Sequence, residues 1–376
     1  MEKIKVLQLC HDTKGPFISV CAMYLSGFDP ERYEVHTLFL RGAYSEQAVT
    51  ALQGSTVHFA NFTGSRLRGL KLKAIRHILR LCRQENFSLI IAHRYKAIYI
   101  AGMVSYFTPV AIWGVAHTQN VFAKRGRKLF VQRLRKNIML VGVSNSVTDN
   151  IHCTCPELID DKRVYSLPNC LHENIENLLL YKQESIKQLA LPTLTNGDKP
   201  YIFGTIGRLV DEKAHDILIE SYAKAGLTDS LLVIIGDGPR LEALQQLAKK
   251  LGVSERILFA GHISNAASLL KAFDVFVFSS NDDEAFGVAL LEAMAAKLPI
   301  ICSNAKGPLE VVGDSALIFE QNNIDDLAAK MLAVRQLSQQ GRESMGIKGY
   351  QQWQSCYTSK PFKTRFSALL KLTKKP

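Results

Sequence analysis

The feature that most constrains the fold of this chain is a regular alternation of short apolar segments with helical segments, which runs through both halves of the sequence. In the N-terminal half the apolar segments predict strands near 4–10, 34–40, 56–60, 88–92, 110–115, 139–143 and 163–167. In the C-terminal half they predict strands near 201–206, 231–235, 257–260, 275–278, 299–302 and 316–319. Such alternation predicts an α/β protein with two doubly wound parallel sheets, each covered by helices on both faces. In sheets of this kind, ligands bind beyond the carboxyl ends of the strands.

One long apolar segment needs a separate interpretation. Residues 97–116 contain no charged side chain over about 20 positions, which is the length of a membrane-spanning helix. Because Pro109 interrupts this segment, we expect a buried helix at 96–107 followed by a buried strand at 110–115. The segment therefore fits a soluble core better than a membrane span.

The composition of the segment that connects the two halves of the sequence indicates a domain boundary. Residues 171–199 end in a stretch rich in Pro, Thr, Asn, Gly and Asp, which is typical of a linker. We therefore expect an N-terminal domain at 1–170, a linker at 171–199 and a C-terminal domain at 200–348.

Two glutamates, Glu284 and Glu292, stand eight positions apart across a predicted loop-to-helix junction. If every intervening residue were helical, the two carboxylates would lie about 12 Å apart along the axis. Glycosidases need separations of about 5–5.5 Å or about 6.5–9.5 Å, so this is a poor hydrolytic pair. We instead expect Glu284 in the loop, with the amides of Phe286, Gly287 and Val288 at the helix start pointing at an anion. An acidic N-cap before an ordinary amphipathic helix with a solvated Glu292 is the alternative.

A second charged loop follows the predicted strand 201–206. Gly207 ends that strand, and Arg208 and Lys213 precede a helix that begins near His215. A strand, a glycine turn and a helix start with two cations are suited to holding a diphosphate, because Arg offers a planar fork and Lys a point charge. A solvated charged turn is the alternative.

The two loops together resemble the retaining GT-B glycosyltransferases of family 4. The resemblance rests on the pairing of Gly207-Arg208-Leu209 and Glu212-Lys213 with Glu284-x-Phe286-Gly287-x4-Glu292, and on the segments 232–239 and 257–263, which match the family in order. It is strong over 200–335 and weak in the N-terminal half. It implies the GT-B plan, in which two Rossmann-like domains face a cleft and the last helices, 349–376, cross back to the N-terminal domain.

The resemblance also implies an activity: transfer of a hexosyl group from a nucleoside diphosphate sugar to a glycan or glycolipid acceptor with retained configuration. Lipopolysaccharide core or surface polysaccharide synthesis would be the setting. A nucleotide-sugar epimerase of the same fold is the alternative enzyme class.

Residue roles follow from the same resemblance. Arg208 and Lys213 would stabilise charge on the leaving diphosphate, helped by the amides of Phe286, Gly287 and Val288. The other expected donor-site residues are Gly207, Gly236, Glu292 at the ribose hydroxyls, and His262 and Ile263 at the base. Glu284 and His117 would orient the transferred sugar.

On the acceptor side the family pattern is less complete. His117 follows the predicted strand 110–115 and matches the strand-end histidine of the family, although a core or capping histidine would look the same. His93 also ends a predicted strand and is a second candidate. Of the Gly-Gly pair that the family carries in its first loop, only Gly15 is present, followed by Pro16, which has no N–H to donate.

Charge is distributed unevenly. Residues 1–197 hold 25 Lys and Arg against 14 Asp and Glu, whereas residues 198–376 hold 21 against 20, so the first part carries nearly all of the net charge of +12. In the GT-B plan that the resemblance implies, the N-terminal domain binds the acceptor and the C-terminal domain binds the nucleotide sugar. A cationic N-terminal domain then predicts an anionic acceptor and peripheral contact with the anionic inner face of the cytoplasmic membrane. The segment 124–136, in which Leu129, Phe130, Val131 and Leu134 alternate with cations, fits a basic amphipathic helix. A solubilising basic face is the alternative. A nucleic-acid-binding protein is disfavoured because no recognition motif accompanies the charge.

The eight cysteines form no paired framework, and no signal peptide opens the chain, so a cytoplasmic location is expected. His152, Cys153 and Cys155, with Cys170 and His172 further on, fit no standard zinc spacing. Asp282 and Asp283 are adjacent rather than alternating, so no metal and no cofactor is expected beyond the nucleotide sugar.

Overall fold

The computed structural model describes residues 2–13, 17–160, 162–191 and 200–373. The chain divides into two compact units. The first comprises Met1–Asn169 together with Ser359–Pro376, and the second comprises Cys170–Thr358.

The first unit is built on a parallel sheet of seven strands in the order β3-β2-β1-β4-β5-β6-β7. Its strands are β1 (Ile4–Cys10), β2 (Tyr33–Phe39), β3 (Ser55–Phe59), β4 (Leu89–His93), β5 (Ala111–Ala116), β6 (Ile138–Gly142) and β7 (Val164–Ser166). The central strands β4, β5 and β6 are buried at every position, as expected for a sheet covered on both faces. The strand order reverses between β1 and β4, so the ends of these two strands flank a topological switch point.

Eight helices belong to this unit among the residues described. They are α1 (Phe17–Ser26), α2 (Glu46–Ala51), α3 (Leu72–Glu85), α4 (Arg94–Ser105), α5 (Arg125–Arg133), α6 (Asn145–Thr154) and α7 (Glu157–Asp160), with α16 (Ser359–Leu372) at the end of the chain.

The long apolar segment folds as the sequence predicts, into the buried helix α4 followed by β5. Thr108 and Pro109 lie in the connection, and the Trp113 side chain at the centre of β5 is fully buried. Within the described ranges, the structure has no helix with the length and apolar character needed to cross a membrane.

The second unit contains a parallel sheet of six strands in the order β10-β9-β8-β11-β12-β13. Its strands are β8 (Tyr201–Ile206), β9 (Ser230–Ile235), β10 (Ile257–Gly261), β11 (Val275–Phe278), β12 (Ile300–Ser303) and β13 (Leu317–Phe319). Its helices are α8 (Ile175–Leu178), α9 (Lys182–Gln188), α10 (His215–Ala225), α11 (Leu241–Lys250), α12 (Val288–Ala295), α13 (Lys306–Val312), α14 (Ile324–Gln336) and α15 (Gln339–Cys356). The strand order reverses between β8 and β11.

Each of the thirteen predicted strands is present, with ends that differ by at most one residue. The predicted α/β class with two doubly wound parallel sheets is therefore confirmed.

The segment predicted as a linker is more structured than its composition suggested. Residues 171–191 contain α8 and α9 and belong to the second unit, where the Leu180 amide donates to the Ser268 carbonyl at 2.9 Å. Lys182 forms an ion pair with Asp274, whose other carboxylate oxygen accepts the Ile202 amide at 2.8 Å. The rest of the expected linker, 192–199, lies outside the described residues.

The end of the chain also divides at a different residue from the one predicted. Helix α15 belongs to the second unit and buries Trp353 there, so residues 349–358 do not group with the N-terminal unit. Helix α16 belongs to the first unit, where the Phe366 ring packs against Trp113 with centroids 5.3 Å apart. Gly27 makes room for that ring, because a Cβ at this position would lie 2.6 Å from it.

Candidate functional site

The predicted donor residues of the second unit gather at its topological switch point. Gly207 directly follows β8, and Ser279 directly follows the neighbouring strand β11. The Ser279 hydroxyl donates to the Lys213 carbonyl at 2.8 Å, and the Asn281 amide donates to the Glu212 carbonyl at 3.0 Å. These two bonds join the charged loop after β8 to the loop that carries Glu284.

Lys213 and Glu284 form an ion pair in which both side chains are largely buried, with 16% and 15% exposed. The Lys213 ammonium also lies 5.0 Å from the centre of the Phe278 ring, a cation–π contact. Gly207 lies beside the lysine stem, because a Cβ there would be in ordinary van der Waals contact with it, at 3.6 Å. The sequence predicted separate roles for the lysine and the glutamate, whereas the structure places them in direct contact.

Arg208 is far more exposed than Lys213. Its side chain is 71% exposed, and its guanidinium donates to the Glu212 carboxylate at 2.6 Å. An exposed ion pair of this kind contributes little to stability, so the guanidinium can exchange this partner for another anion.

The start of helix α12 presents unpaired amides beside the ion pair. Gly287 precedes the helix with φ of 95°, a conformation that favours glycine, and no side chain in the described part of the chain caps the helix. No described group accepts a hydrogen bond from the amides of Phe286, Gly287 or Val288. A Cβ at Gly287 would lie 3.1 Å from the Phe278 ring. Gly287 and the Lys213 ammonium therefore lie near the same ring.

Phe286 takes part in this site only through its backbone. Its side chain is buried and meets the Tyr357 ring edge-on, with centroids 5.7 Å apart. The aromatic side chain is a core residue that anchors the loop before α12.

Glu292 lies within α12 between the fully buried side chains of Leu291 and Ala293. The residue as a whole is only partly exposed, and its carboxyl group has no hydrogen bond or ion pair with any described residue. Burial raises the pKa of Glu292 to about 7 because it disfavours the charged form. A partly buried carboxyl without a partner, more than a turn into the helix, is available to a ligand.

Glycines let the loops after β8 and β9 pack backbone to backbone. Gly236 has φ of 152°, and a Cβ at this residue would lie 1.8 Å from the Gly207 carbonyl oxygen. The Gly236 amide donates to the Gly261 carbonyl at 2.9 Å, which connects the loop after β10 as well. Directly after Gly261, His262 is exposed and Ile263 packs partly into the core. The structure thus brings together the predicted positions Gly207, Gly236, His262 and Ile263 along one edge of the sheet.

In the first unit the two candidate histidines contact each other. His93 Nδ1 lies 3.1 Å from His117 Nε2. Burial lowers the pKa of His117 to about 3, helped by the charge of Arg94, and burial followed by the nearby His117 lowers the pKa of His93 well below its usual value. Both rings are therefore neutral at physiological pH. Gly15, the third acceptor-side prediction, lies outside the described residues.

A cavity of about 290 Å³ opens beside His117, between the carboxyl ends of β1, β4 and β5. Its lining includes His11, Arg94, Lys96 and Arg127, which the sequence analysis did not select. Arg94 and Lys96 lie within four residues of the end of the predicted strand 88–92, and that position was a signal in the sequence.

The predicted amphipathic helix at 124–136 is shorter, and most of its apolar residues are already packed inside the unit. Phe130 and Leu134 close over Gly102 of α4, where a Cβ would lie 2.8 and 2.3 Å from their side chains. Val131 is fully buried, so of the four apolar residues only Leu129 is well exposed, at 54%. The interpretation of this segment as a helix with a free apolar face is wrong, because Phe130, Val131 and Leu134 pack inside the unit.

The cysteine and histidine residues between 152 and 172 do not assemble. Cys153 is exposed and Cys155 is buried, and within the described ranges they form no group of three close ligand atoms.

Comparison with known proteins agrees with these observations. Residues 188–352 match the family model described as glycosyl transferases group 1. The chain is 26% identical over 232 residues to N-acetyl-alpha-D-glucosaminyl L-malate synthase of Bacillus anthracis, covering 59% of this chain and 57% of that protein. It is 38% identical over 114 residues to the lipopolysaccharide core biosynthesis glycosyltransferase LpsE of Rhizobium meliloti, covering 30% of this chain and 32% of that protein. The matches thus span less than two thirds of these relatives' own length.

Solved structures match over nearly the whole chain. A glycosyltransferase from Rickettsia africae has a TM-score of 0.85 at 16% identity, with 99% of each chain covered. Anabaena HepE, solved with UDP and glucose, has a TM-score of 0.80 at 16% identity, covering 98% of this chain and 99% of that one. The chain therefore has the GT-B fold, and its segment 188–352 is similar to the group 1 glycosyl transferases.

Proposed function

We propose that this chain transfers a hexosyl group from a nucleoside diphosphate sugar to a glycan or glycolipid acceptor, with retained anomeric configuration. The observation that carries the proposal is the arrangement at the switch point of the second unit. There the Lys213 ammonium, the unpaired amides before α12 and the unpartnered carboxyl of Glu292 occur together. This combination suits an elongated ligand with an anionic centre and hydroxyls at one end.

The leaving diphosphate would be stabilised by cations and amides that are already in position. The Lys213 ammonium has three N–H donors, so it can keep its bond to Glu284 and still donate to a phosphate oxygen. The Arg208 guanidinium would break its hydrogen bond to Glu212 and donate instead to the diphosphate oxygens through its planar N–H groups. The amides of residues 286–288 would add donors aimed at the developing charge. No metal ion is needed for this step.

The carboxylates would orient the two sugars of the donor. Glu292 would accept hydrogen bonds from the ribose hydroxyls, and its raised pKa makes this interaction sensitive to pH. Glu284 would face the transferred hexose, since Lys213 holds its carboxylate near the diphosphate. His117, neutral and bonded to His93, would act as a hydrogen-bonding partner of that sugar rather than as a cation.

The acceptor is proposed to be anionic and connected with lipopolysaccharide core or surface polysaccharide synthesis. The similarity to LpsE, named as a lipopolysaccharide core glycosyltransferase, supports this setting. The excess of positive charge in residues 1–197 supports the anionic character. A cytoplasmic protein that meets the inner membrane face at its surface would have access to such an acceptor.

Membrane contact would use the loop before α3 and the first residues of that helix rather than α5. Leu70 and Leu72 are each 67% exposed, and the neighbouring Arg66, Arg68 and Lys73 are exposed as well. Apolar side chains flanked by cations suit shallow insertion into an anionic surface.

The proposal is tested by incubating the chain with a panel of nucleotide sugars and measuring nucleotide release. Arg208→Ala should reduce turnover by about 10²-fold, because it removes a cation from the leaving group. Lys249→Ala, an exposed lysine of α11, is the matched control and should not change turnover. Near-normal turnover in Arg208→Ala would contradict the proposed role. Conversion of the sugar to its epimer without nucleotide release would favour an epimerase instead.

A further inference from the structure

The cavity of the first unit lies at a topological switch point, where ligands of doubly wound sheets bind. It is bounded by His11 after β1, by Arg94 and Lys96 after β4, and by His117 after β5. Its volume, about 290 Å³, is near the lower end of the ~300–1,000 Å³ typical of small-molecule pockets. One small group of a larger molecule, such as the headgroup of a lipid, fits this volume, whereas a long glycan does not.

Three cations line this cavity without a carboxylate partner among the described residues. Lys96 has no ion pair, and the Arg94 guanidinium lies 4.5 Å from the centre of the Phe17 ring. The Arg127 guanidinium lies 4.4 Å from the centre of the Tyr95 ring. Aromatic faces hold these guanidinium groups in place while their charge remains uncompensated.

Neighbouring groups respond to this excess of charge. The pKa of His11 is lowered first by burial and then by Lys96, with Arg94 and Arg41 contributing, and the nearby Asp12 opposes this effect only in part. The pKa of Lys71 is lowered by burial, then by Lys96 and Arg127. The potential at the cavity is therefore positive.

The backbone at the start of α4 adds hydrogen-bond donors. No side chain caps this helix of 12 residues, and no described group accepts from the amides of Tyr95 or Lys96. Arg94 has φ of 72°, a left-handed conformation that costs energy for a side chain of this size. His11, which is 9% exposed and lines the cavity, keeps a buried Nδ1 that has no hydrogen-bond partner among the described residues.

We propose that this cavity binds a phosphate group carried by the acceptor, with Arg94, Lys96 and Arg127 as its cationic ligands. A tetrahedral phosphate offers several oxygens that can accept from the helix amides, a guanidinium and an ammonium at once. The inference rests on the proposed function, because only a glycosyl transfer makes the bound molecule an acceptor. The phosphate would then lie beside His117, next to the hydroxyl that receives the sugar.

The first experiment measures binding of inorganic phosphate to the full chain by calorimetry. Lys96→Met should weaken binding about tenfold or more, since a charge-assisted contact is lost, while the exposed Lys249→Met in the second unit should leave it unchanged. Lys96 is exposed, so its replacement should not disturb packing, and Arg127→Gln provides an independent second variant. Equal affinity in the wild-type chain and both cavity variants, or tighter binding of succinate than of phosphate, would overturn the proposal.

A second experiment identifies the source of the phosphate by competition. Glucose 6-phosphate stands for a phosphorylated glycan, and vesicles of phosphatidylcholine mixed with phosphatidic acid stand for a lipid phosphate. Displacement of inorganic phosphate by either probe, lost in Lys96→Met, supports the proposal and assigns the source. Failure of both probes to compete contradicts it.

Hydrolysis of the nucleotide sugar without acceptor separates this inference from the proposed function. A chain that hydrolyses a nucleotide sugar but binds no phosphate retains the proposed function and loses the cavity assignment. If the chain binds phosphate through Lys96 but releases no nucleotide from any sugar donor, the cavity is an anion site, and its interpretation as part of an acceptor site is wrong.

Discussion

The raised pKa of Glu292 leads to a prediction about stability as well as about ligand binding. Because burial raises this pKa from 4.5 to about 7, ionising the carboxyl costs folding free energy. Each pKa unit between the folded and the unfolded chain corresponds to about 1.36 kcal/mol. The free-energy cost of ionising Glu292 in the folded chain therefore approaches roughly 3 kcal/mol above pH 8. Below pH 4.5 the group is neutral in both the folded and the unfolded chain, and the cost disappears. At low pH this group therefore does not reduce the free energy of unfolding. The free energy of unfolding falls as the pH rises from about 4.5 through about 7.

Glu292→Gln removes the charge while nearly preserving the shape of the side chain. The variant should be more stable than the wild-type chain by roughly 3 kcal/mol near pH 8.5, and by less than about 1 kcal/mol near pH 5. Urea unfolding monitored by tryptophan fluorescence measures this difference. The chain has two tryptophans, Trp113 in the first unit and the buried Trp353 in the second, so a Trp113→Phe background reports the second unit alone.

The control is Glu255→Gln, which changes an exposed carboxylate of the same unit and should show little stability difference at either pH. The proposed donor role adds a second readout, because nucleotide affinity should fall below pH 7 as Glu292 becomes protonated, and Glu292→Gln should remove this dependence. If Glu292→Gln changed stability equally at pH 5 and pH 8.5, the reasoning from burial would be refuted.

Two further predictions concern the packing of the same site. Lys213→Met and Glu284→Gln should each destabilise the second unit by about 2 kcal/mol or more, since each leaves a largely buried charge unpaired. The double variant should lose less than the sum of the two effects, and additive losses in urea unfolding would contradict a direct pair. Gly236→Ala should cost more than about 2 kcal/mol, because its φ of 152° is strained for alanine and the added Cβ meets the Gly207 carbonyl. Gly226→Ala, with φ of 63° and nothing within 4 Å, should cost only about 1 kcal/mol in the same assay, and equal losses at both glycines would show that contact with Gly207 is unimportant.

The strand and helix order was predictable from the sequence because hydrophobic periodicity is a local property. The buried runs that became β5 and β9 are apolar at nearly every position, and such runs have few ways to fold other than as covered parallel strands. The break at Pro109 could likewise be interpreted from its neighbours alone. The two charged loops were recognisable because their glycines, cations and carboxylates are close in the chain.

Composition misled where burial depends on distant partners. Residues 171–191 are polar enough to suggest a linker, yet α8 and α9 are part of the second unit and contact residues far along the chain, such as Asp274. The apolar residues in and just after α5 suggested an apolar face on the surface. In the structure, most of them pack into the core, because Gly102 of α4 has no side chain to occupy that space. The local sequence of α5 does not indicate that this glycine lies opposite it.

The sequence by itself determined the α/β class, the thirteen strands and the candidate chemistry of the two charged loops. The tertiary structure alone decided which of those groups meet: Lys213 with Glu284, His93 with His117, and the cations after β4 with Arg127 around one cavity. The physical reason is that parallel strands bring their carboxyl ends to one edge of a sheet, so groups far apart in the chain become neighbours. Their charges and pKa values depend on those neighbours and on burial, and neither can be deduced from spacing along the chain.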